Sequence, residues 1–405
     1  MVLKFYPAKH DSLFIWFWQH VSSWELKTKV KLNILPNEIE TLSSISPKIG
    51  LILVANHSDE LDPRIIMELS RLSSRRFTFM VNSEVFKEWL GLATFCLQHI
   101  GAFSVERGAA DEQARRAAID TVKKTNNVLV IFPEGEIFNL NDSVQPFKTG
   151  AAHIGLEALK EIRAEASDKS VSVLPIAIKY RYQKNISSAL KRRILRMEKH
   201  LSMHLNPSGM RDELYKIMNN LWLSSLRATR SNPPAQAASL DIKTIEELTI
   251  QLQQTRETIV SEIEKKYIHP DDSQGDLLGR AQKMTAFLRE QIAQKKFFTK
   301  ETQKQLEEDL KAIRKTIQMA TWQPQYIERN PSQERLAETV IKLERVVFDI
   351  KRPALFGKRE AFVRILDPLD LSSSLQAYEE DPTTAAKIVV EELRAKIQKV
   401  ILDIK

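Results

Sequence analysis

The stretch LILVANHSDELDPRIIMEL, residues 51–69, determines the fold class of this chain. Five apolar residues come first, then a polar loop, and then apolar residues at helical spacing. Short runs rich in Ile, Leu and Val are typical of buried strands, and a proline after an aspartate is typical of the beginning of a helix. The sequence therefore predicts a strand, a loop and a helix, with His57 in the loop at the carboxyl end of the strand.

The same alternation continues from residue 50 to residue 182. The predicted strands are LILVA, FTFMV, AFSVE, VLVIF and VSVLPIAIKY, and the predicted helices between them are RIIMELSRLSSRR, EVFKEWLGLATFCLQHI, DEQARRAAIDTVKK and TGAAHIGLEALKEIRAEA. Strands that alternate with helices predict an α/β domain with a largely parallel sheet flanked by helices. Ahead of them, VKLNIL alternates polar and apolar residues and is assigned as an edge strand.

After residue 184 the strand pattern gives way to long charged helices. Apolar residues fall on one helical face in four stretches, which predicts an all-helical bundle entered through the turn-rich segment SNPPAQAAS, residues 231–239. A strand pattern returns in EAFVRIL, residues 360–366, followed by a closing helix. Because a solitary strand cannot satisfy its backbone groups, we expect it to join the first sheet. The predicted domains are 1–183 (α/β domain, first part), 184–354 (helical insertion) and 355–405 (last strand and helix); a separate C-terminal domain is the alternative.

Composition and charge limit the partners. The chain has 405 residues, a formal net charge of +8 and one cysteine, so an intrachain disulfide is excluded and a reducing, cytoplasmic compartment is favoured. We find neither a spanning apolar run nor a cleavable signal pattern. An excess of positive charge suits a membrane surface, a nucleic acid or an acidic carrier protein, but no nucleic-acid-binding motif occurs, so no nucleic-acid partner is expected.

Two segments are candidates for contact with a membrane. SLFIWFWQHVSSW, residues 12–24, crowds aromatic residues near the N-terminus, and indole rings favour the boundary between lipid and water. ALKRRILRMEKHL, residues 189–201, is a basic amphipathic helix of the kind that lies on anionic lipid. The alternatives are a helix packed on the core for the first segment and a solvated helix flank for the second.

His57 is the first candidate for chemistry. A histidine at the end of a buried strand can act as a general base, and an acid that holds its other ring nitrogen fixes the tautomer. Asp62 can fold back against the ring through a turn at residues 58–61, or serve as the N-cap of the helix that Pro63 begins. A metal site formed by His57, Asp59, Glu60 and Asp62 is a third alternative, for which closely spaced acids without a second histidine are weak support.

Four blocks of sequence resemble one family. NHSDELD matches the His-x4-Asp motif of the glycerophospholipid acyltransferases, which include the lysophosphatidic acid acyltransferases; GAFSVERG (101–108), FPEG (132–135) and VLPIAI (173–178) are similar to its later blocks, and PFKTGAAHIG (146–155) to the segment after the third. The chain departs from the pattern at Asp59, where the family often has serine, and at residues 136–138, where serine or threonine is common. These departures concern the acceptor more than the chemistry.

The resemblance implies transfer of a fatty acyl group from a thioester, either acyl-CoA or an acyl carrier protein, to a glycerol hydroxyl, without a resident cofactor or metal. It implies that His57 is the base, that Asp62 orients it, and that Arg107, Glu134, Gly135 and Lys148 bind the acceptor. 1-Acylglycerol 3-phosphate is the favoured acceptor, glycerol 3-phosphate is its nearest rival, and a non-catalytic lipid-binding or tethering protein is the alternative of another class. We expect peripheral attachment to the inner face of a membrane.

Overall fold

The structure of the protein is a computed structural model that describes residues 4–88, 91–108, 111–124, 126–203, 209–229, 244–268, 275–294 and 299–404. The chain divides into two compact units. The α/β unit contains Lys4–Glu106, Ala110–Arg181 and Lys358–Lys405, and the helical unit contains Arg107–Ala109 and Tyr182–Gly357. The segment SNPPAQAAS lies outside the described residues.

One mixed, mostly parallel sheet forms the centre of the α/β unit. Its strands are β1 (Val30–Ile34), β2 (Gly50–Ala55), β3 (Arg76–Asn82), β4 (Ala102–Val105), β5 (Asn127–Ile131), β6 (Val171–Tyr182), β7 (Arg359–Ile365) and β8 (Leu369–Asp370). Their order is β1-β7-β6-β2-β5-β3-β4, with β8 antiparallel to β6. The predicted fold class is confirmed, and the returning strand β7 and the edge strand β1 both lie in this sheet.

Helices follow the strands along the chain. The first group is α1 (Ser12–Lys29), α2 (Pro36–Ser44), α3 (Asp62–Ser73), α4 (Ser83–Phe86), α5 (Leu92–His99), α6 (Glu112–Lys123) and α7 (Gly150–Ala164). The helical unit contains α8 (Ser187–His200), α9 (Met210–Thr229), α10 (Ile245–Tyr267), α11 (Leu277–Ala293), α12 (Lys300–Ala320), α13 (Pro324–Arg329) and α14 (Gln333–Val347). The chain closes with α15 (Leu375–Glu380) and α16 (Pro382–Asp403).

The alternation of side chains along β2 explains the two layers of core. Ile52 and Val54 join an apolar cluster that includes residues of α6, α7 and α16, while Leu51 and Leu53 join a second cluster that includes residues of α1 and α3. Because successive side chains of a strand point to opposite faces, a strand with every residue buried must be covered on both. This burial fixes the carboxyl end of β2, from which His57 projects.

One predicted helix is wrong. The stretch EVFKEWLGLATFCLQHI was expected to be a single helix, but α4 ends at Phe86 and α5 begins at Leu92. Gly91, at the N-cap of α5, has φ of 94°, a left-handed conformation that an α-helix cannot contain. The apolar spacing continued through this break and therefore concealed it.

The helical unit contains the four predicted amphipathic helices together with α9 and α13, which the apolar pattern did not reveal. Ile259, Ile263, Met284 and Ile313 belong to one buried cluster contributed by α10, α11 and α12. Each of these helices is amphipathic and buries its apolar stripe against the others. No helix among the described residues combines the length and the apolar character that crossing a membrane requires.

The basic helix α8 has its apolar face inside this unit. Leu190, Ile194 and Met197 are buried. Arg193 pairs with Glu344, and its guanidinium lies 3.9 Å from the ring centre of Phe356. A helix whose apolar face is already packed cannot place that face in lipid, so of the two alternatives for this segment the solvated flank is the one that fits.

Candidate active site

The loop after β2 is tied to the neighbouring strand before it reaches His57. The Asn56 side-chain amide donates to the carbonyl of Ile178 at 2.9 Å and accepts from its N–H at 2.8 Å. This reciprocal pair continues the β2–β6 ladder by one residue after β2 ends. The backbone on which His57 sits is therefore positioned by β6.

His57 and Asp62 form a direct hydrogen bond, with 3.0 Å between Nδ1 and Oδ2. Both residues are buried, Asp62 completely. A carboxylate at Nδ1 favours the tautomer that carries the proton there and leaves Nε2 unprotonated. Nε2 has no hydrogen bond to any residue that the structure describes, so it is the ring atom that can take a proton.

The other bonds of Asp62 explain why its side chain faces the loop. Asp62 Oδ2 also accepts from the Asp59 N–H at 2.8 Å, and Oδ1 accepts from the Tyr180 hydroxyl at 2.6 Å. The N-cap position of α3 is occupied by Leu61, with Asp62 as the first helical residue. The alternative that Asp62 is the N-cap is therefore wrong, and its carboxylate serves His57, Asp59 and Tyr180 instead.

Glu134 supports His57 from the loop after β5. Its Oε1 accepts from the His57 backbone N–H at 2.7 Å, and its Oε2 accepts from the Gln145 N–H at 3.3 Å. Burial raises the pKa of Glu134 to about 8, although the two N–H donors act in the opposite direction. Phe132, two residues earlier, stacks on the imidazole with 4.2 Å between ring centres. The FPEG turn thus holds the histidine by its backbone and by its ring.

Gly135 and Lys148 complete this turn. Gly135 has φ of 72°, and its N–H donates to the Phe132 carbonyl at 3.2 Å. A Cβ atom at this position would lie 2.7 Å from Cε of Lys148, so glycine is required both by the conformation and by the approach of this side chain. The Lys148 N–H donates to the carbonyl of Pro133 at 2.8 Å. The exposed ammonium-bearing side chain of Lys148 is therefore anchored at the turn.

Arg107 does not belong to the α/β unit. It follows β4, is half-buried, and falls with the helical unit. Its neighbour Gly108 has φ of 81° and so little room that a Cβ atom would lie 2.4 Å from the backbone nitrogen of Lys283 in α11. The structure joins His57, Asp62, Glu134, Gly135 and Lys148 by direct contacts within the α/β unit, whereas Arg107 falls in the helical unit.

Asp59 forms an ion pair that the sequence analysis did not predict. Arg359, the first residue of β7, donates from Nη1 to Asp59 Oδ2 at 2.8 Å, and the Leu61 N–H donates to Asp59 Oδ1 at 2.9 Å. The Arg359 guanidinium also lies over the Tyr180 ring, 4.4 Å from its centre. No group of three or more His, Cys, Asp or Glu side chains among the described residues is arranged to hold a metal ion. The metal alternative at this loop therefore has no support.

Burial dominates the electrostatics of these groups. It raises the pKa of Asp62, against the lowering effect of the hydrogen bonds from His57 and Tyr180, and the charge of Asp59 raises it further. Burial, together with the charges of Asp62 and Asp59, raises the pKa of Tyr180 well above its ordinary value, so Tyr180 is a hydrogen-bond donor at neutral pH. The carboxyl groups of Asp59 and Asp62 therefore lie near one imidazole, and Arg359 pairs with the carboxylate of Asp59.

Two asparagines after the FPEG turn also support the site and were not predicted. Asn139 donates to the carbonyl of Ser58 at 3.2 Å. Asn141 donates to the Tyr180 carbonyl and accepts from its N–H, both at 2.6 Å. Amides so close to a glycine turn favour side-chain to backbone bonds, which is the signal that could have identified them.

The fold and the site together define a class: an α/β domain that presents a buried His–Asp pair at the carboxyl end of a central strand. Residues 37–179 match the Acyltransferase family model, and this range includes β2, the His–Asp pair and the FPEG turn. This model describes the family of glycerophospholipid acyltransferases, such as the lysophosphatidic acid acyltransferases, and residues 37–179 of the chain are similar to it. The activity that this domain supports is acyl transfer to a lipid acceptor. A comparison with curated proteins found none that matches the chain.

Proposed function

We propose that this protein transfers a fatty acyl group from an acyl thioester, acyl-CoA or acyl carrier protein, to the free hydroxyl of 1-acylglycerol 3-phosphate. The observation that carries the proposal is the His57–Asp62 pair, with Nδ1 bound to a buried carboxylate and Nε2 without a described partner. A base oriented in this way suits an alcohol acceptor.

The reaction needs one proton to move twice. Nε2 of His57 takes the proton from the acceptor hydroxyl as the oxygen attacks the thioester carbonyl and the new C–O bond forms. The tetrahedral intermediate then collapses, the C–S bond breaks, and the leaving thiolate takes the proton back from Nε2. Asp62 stabilises the imidazolium between these steps. The products are the acylated lipid and a free thiol, and the base is regenerated.

Arg107 and Lys148 are each proposed, from the resemblance of their sequence blocks, to bind the acceptor. Arg107 offers a planar fork of donors that suits phosphate oxygens, and Lys148 offers a mobile point charge. The position of Lys148, anchored at the turn that holds His57, supports its part in this proposal. Both oxygens of Glu134 accept backbone N–H groups of the site, so its main proposed contribution is to position His57.

Peripheral attachment to a membrane is proposed through α1. Trp16, Phe17 and Trp24 are 57%, 52% and 71% exposed, which is unusual for residues that large and apolar. Lys27 and Lys29 follow in the last turn of the helix, and the chain carries a formal net charge of +8. Aromatic residues beside basic ones suit the surface of an anionic bilayer on its inner, cytoplasmic face, where the lipid acceptor resides.

Vesicle sedimentation tests this attachment. Wild-type protein should bind vesicles that contain phosphatidylglycerol, and a Trp16→Ser, Trp24→Ser double variant should bind at least about tenfold more weakly because two indole rings no longer enter the interface. Ile388→Ser is the matched control, since Ile388 is a 62% exposed apolar residue of α16. Equal losses in both variants would contradict a specific role for α1.

The function itself is tested by an acceptor and donor panel. Purified protein is incubated with labelled palmitoyl-CoA or palmitoyl-acyl carrier protein and with 1-acylglycerol 3-phosphate, glycerol 3-phosphate or glycerol. Formation of phosphatidic acid from the first acceptor alone supports the proposal, and acylation of glycerol 3-phosphate instead establishes its rival. No transfer with any pair, by protein that still binds vesicles, would favour the non-catalytic tethering alternative.

A further inference from the structure

The buried ion pair between Asp59 and Arg359 has a place in this site that the proposed function does not explain. Asp59 is two residues from His57, whereas Arg359 begins β7, which returns to the sheet beside β6. Both residues are buried, at 9% and 6% exposure. A buried ion pair has a considerable desolvation cost and contributes little net stability. Its effect on the neighbouring charged groups is therefore the more informative property.

Asp59 and Arg359 are both connected to Asp62, the carboxylate that bonds to His57. Asp59 donates its backbone N–H to Asp62 Oδ2, the same oxygen that His57 Nδ1 contacts. Arg359 lies over the ring of Tyr180, whose hydroxyl donates to the other oxygen of Asp62. Asp59 therefore bonds to one oxygen of Asp62, and Arg359 packs on the residue that bonds to the other oxygen.

We infer that Arg359 is a positioning residue for the His57–Asp62 pair, acting by neutralising Asp59 and by clamping Tyr180 against Asp62. The charged and titratable groups of the α/β unit around this pair are, on its own loop and α3, Asp59, Glu60 and Asp62; after β5, Glu134; on β6, Tyr180; and on β7, Arg359. Without Arg359 the buried loop carries an uncompensated carboxylate close to the imidazole, which stabilises the protonated ring and removes the free base. The inference rests on the proposed role of His57 as the base.

The test uses opposite changes of charge at the two ends of the ion pair. Arg359→Met should move the midpoint of the His57 ring titration, followed by NMR in the full-length protein, to higher pH by about one unit, because one buried negative charge is no longer balanced. Asp59→Asn should move it to lower pH by a similar amount. The Asp59→Asn, Arg359→Met double variant should return it close to the wild-type value.

Arg364→Met is the matched control. Arg364 lies on the same strand, but its guanidinium bonds to the Asn33 carbonyl at 3.0 Å, away from the loop after β2. This variant should leave the His57 titration unchanged. Circular dichroism and thermal unfolding establish that each variant is folded, and the double variant, which contains no unbalanced charge, remains informative if Arg359→Met alone unfolds.

The acidic limb of the kcat/KM profile should follow the NMR midpoints in the three variants. The inference is overturned if the single variants leave the His57 titration in place, or if the double variant does not reverse the shifts. The ring titration requires no turnover, so a protein that acylates no acceptor but displays these shifts would refute the proposed function while leaving the role of Arg359 intact. Normal turnover without any shift of the His57 titration would support the proposed function and refute the role of Arg359.

Discussion

Replacing Asp62 by asparagine tests whether the negative charge of Asp62, and not only its hydrogen bond to His57, is needed for turnover. Asp62 Oδ2 accepts from the Asp59 N–H, which can only donate, so the asparagine oxygen must occupy that position and the amide NH2 must face Tyr180. The Tyr180 hydroxyl can rotate to accept from the amide. The His57 Nδ1–H bond to oxygen is therefore retained, and the ring should keep its orientation and its tautomer.

What Asp62→Asn removes is the negative charge that stabilises the imidazolium. A charge-assisted hydrogen bond contributes about 2 to 3 kcal/mol, compared with about 1 kcal/mol for a neutral one. At about 1.4 kcal/mol per tenfold change in rate, loss of the whole charge-assisted contribution would lower kcat about 30- to 150-fold, and the retained neutral bond brings the expectation to about 5- to 30-fold. His57→Ala, which removes the base itself, should cost about a hundred- to ten-thousandfold.

The assay is steady-state release of free thiol from the acyl donor at saturating acceptor, with circular dichroism to confirm folding. His57→Ala provides the lower limit of the scale on which Asp62→Asn is measured. An Asp62→Asn rate within twofold of wild type would refute the assigned role of the Asp62 charge. A loss as large as that of His57→Ala would show that the amide has turned and the tautomer is lost.

Two further predictions concern Arg107 and Glu134. Arg107→Ala should raise KM for a phosphorylated acceptor about 10- to 100-fold with little change in kcat, and Arg116→Ala, at an exposed arginine of α6, should change neither. A pure kcat effect would reassign Arg107. Since burial raises the pKa of Glu134 to about 8, its contribution to stability is complete below its ordinary pKa of 4.5 and is lost as pH rises through about 8. Glu134→Gln should therefore flatten the fall in urea-unfolding free energy between pH 5 and 8, by about 1.4 kcal/mol per pH unit at most; identical slopes would contradict burial of a protonated Glu134.

The sequence revealed the part of the site that is local in the chain. A strand, a polar loop and a helix bring His57 and Asp62 within one turn of each other, and the glycine of FPEG indicates a tight turn at the end of the neighbouring strand. Short-range patterns of this kind follow from the periodicity of strands and from conformations available only to glycine. The position of Glu134 near His57 follows in turn from the adjacency of β2 and β5.

The rest depends on long-range packing. Arg359 lies 300 positions from Asp59 and reaches it only because β7 enters the sheet between β1 and β6. The hydrophobic pattern of EAFVRIL predicts that this strand joins a sheet, but it contains no information on which neighbours it chooses or on what its first residue contacts. Likewise, the amphipathic pattern of α8 does not distinguish lipid from protein as the partner of its apolar face.

The segment that matches the family therefore does not contain all the residues that surround the His57–Asp62 pair. The match ends at residue 179, one position before Tyr180, and lacks Arg359. Within the α/β unit, Tyr180 and Arg359 are neighbours, because the beginning of β7 lies beside the end of β6 and Leu366 N–H donates to the Pro175 carbonyl at 3.0 Å. A fragment limited to residues 37–179 would keep His57, Asp62 and Glu134 but leave Asp59 unbalanced and Asp62 with one hydrogen bond fewer. In such a fragment the unbalanced carboxylate of Asp59 would favour the imidazolium, so the proposed base at His57 depends on a strand that returns after the whole helical unit.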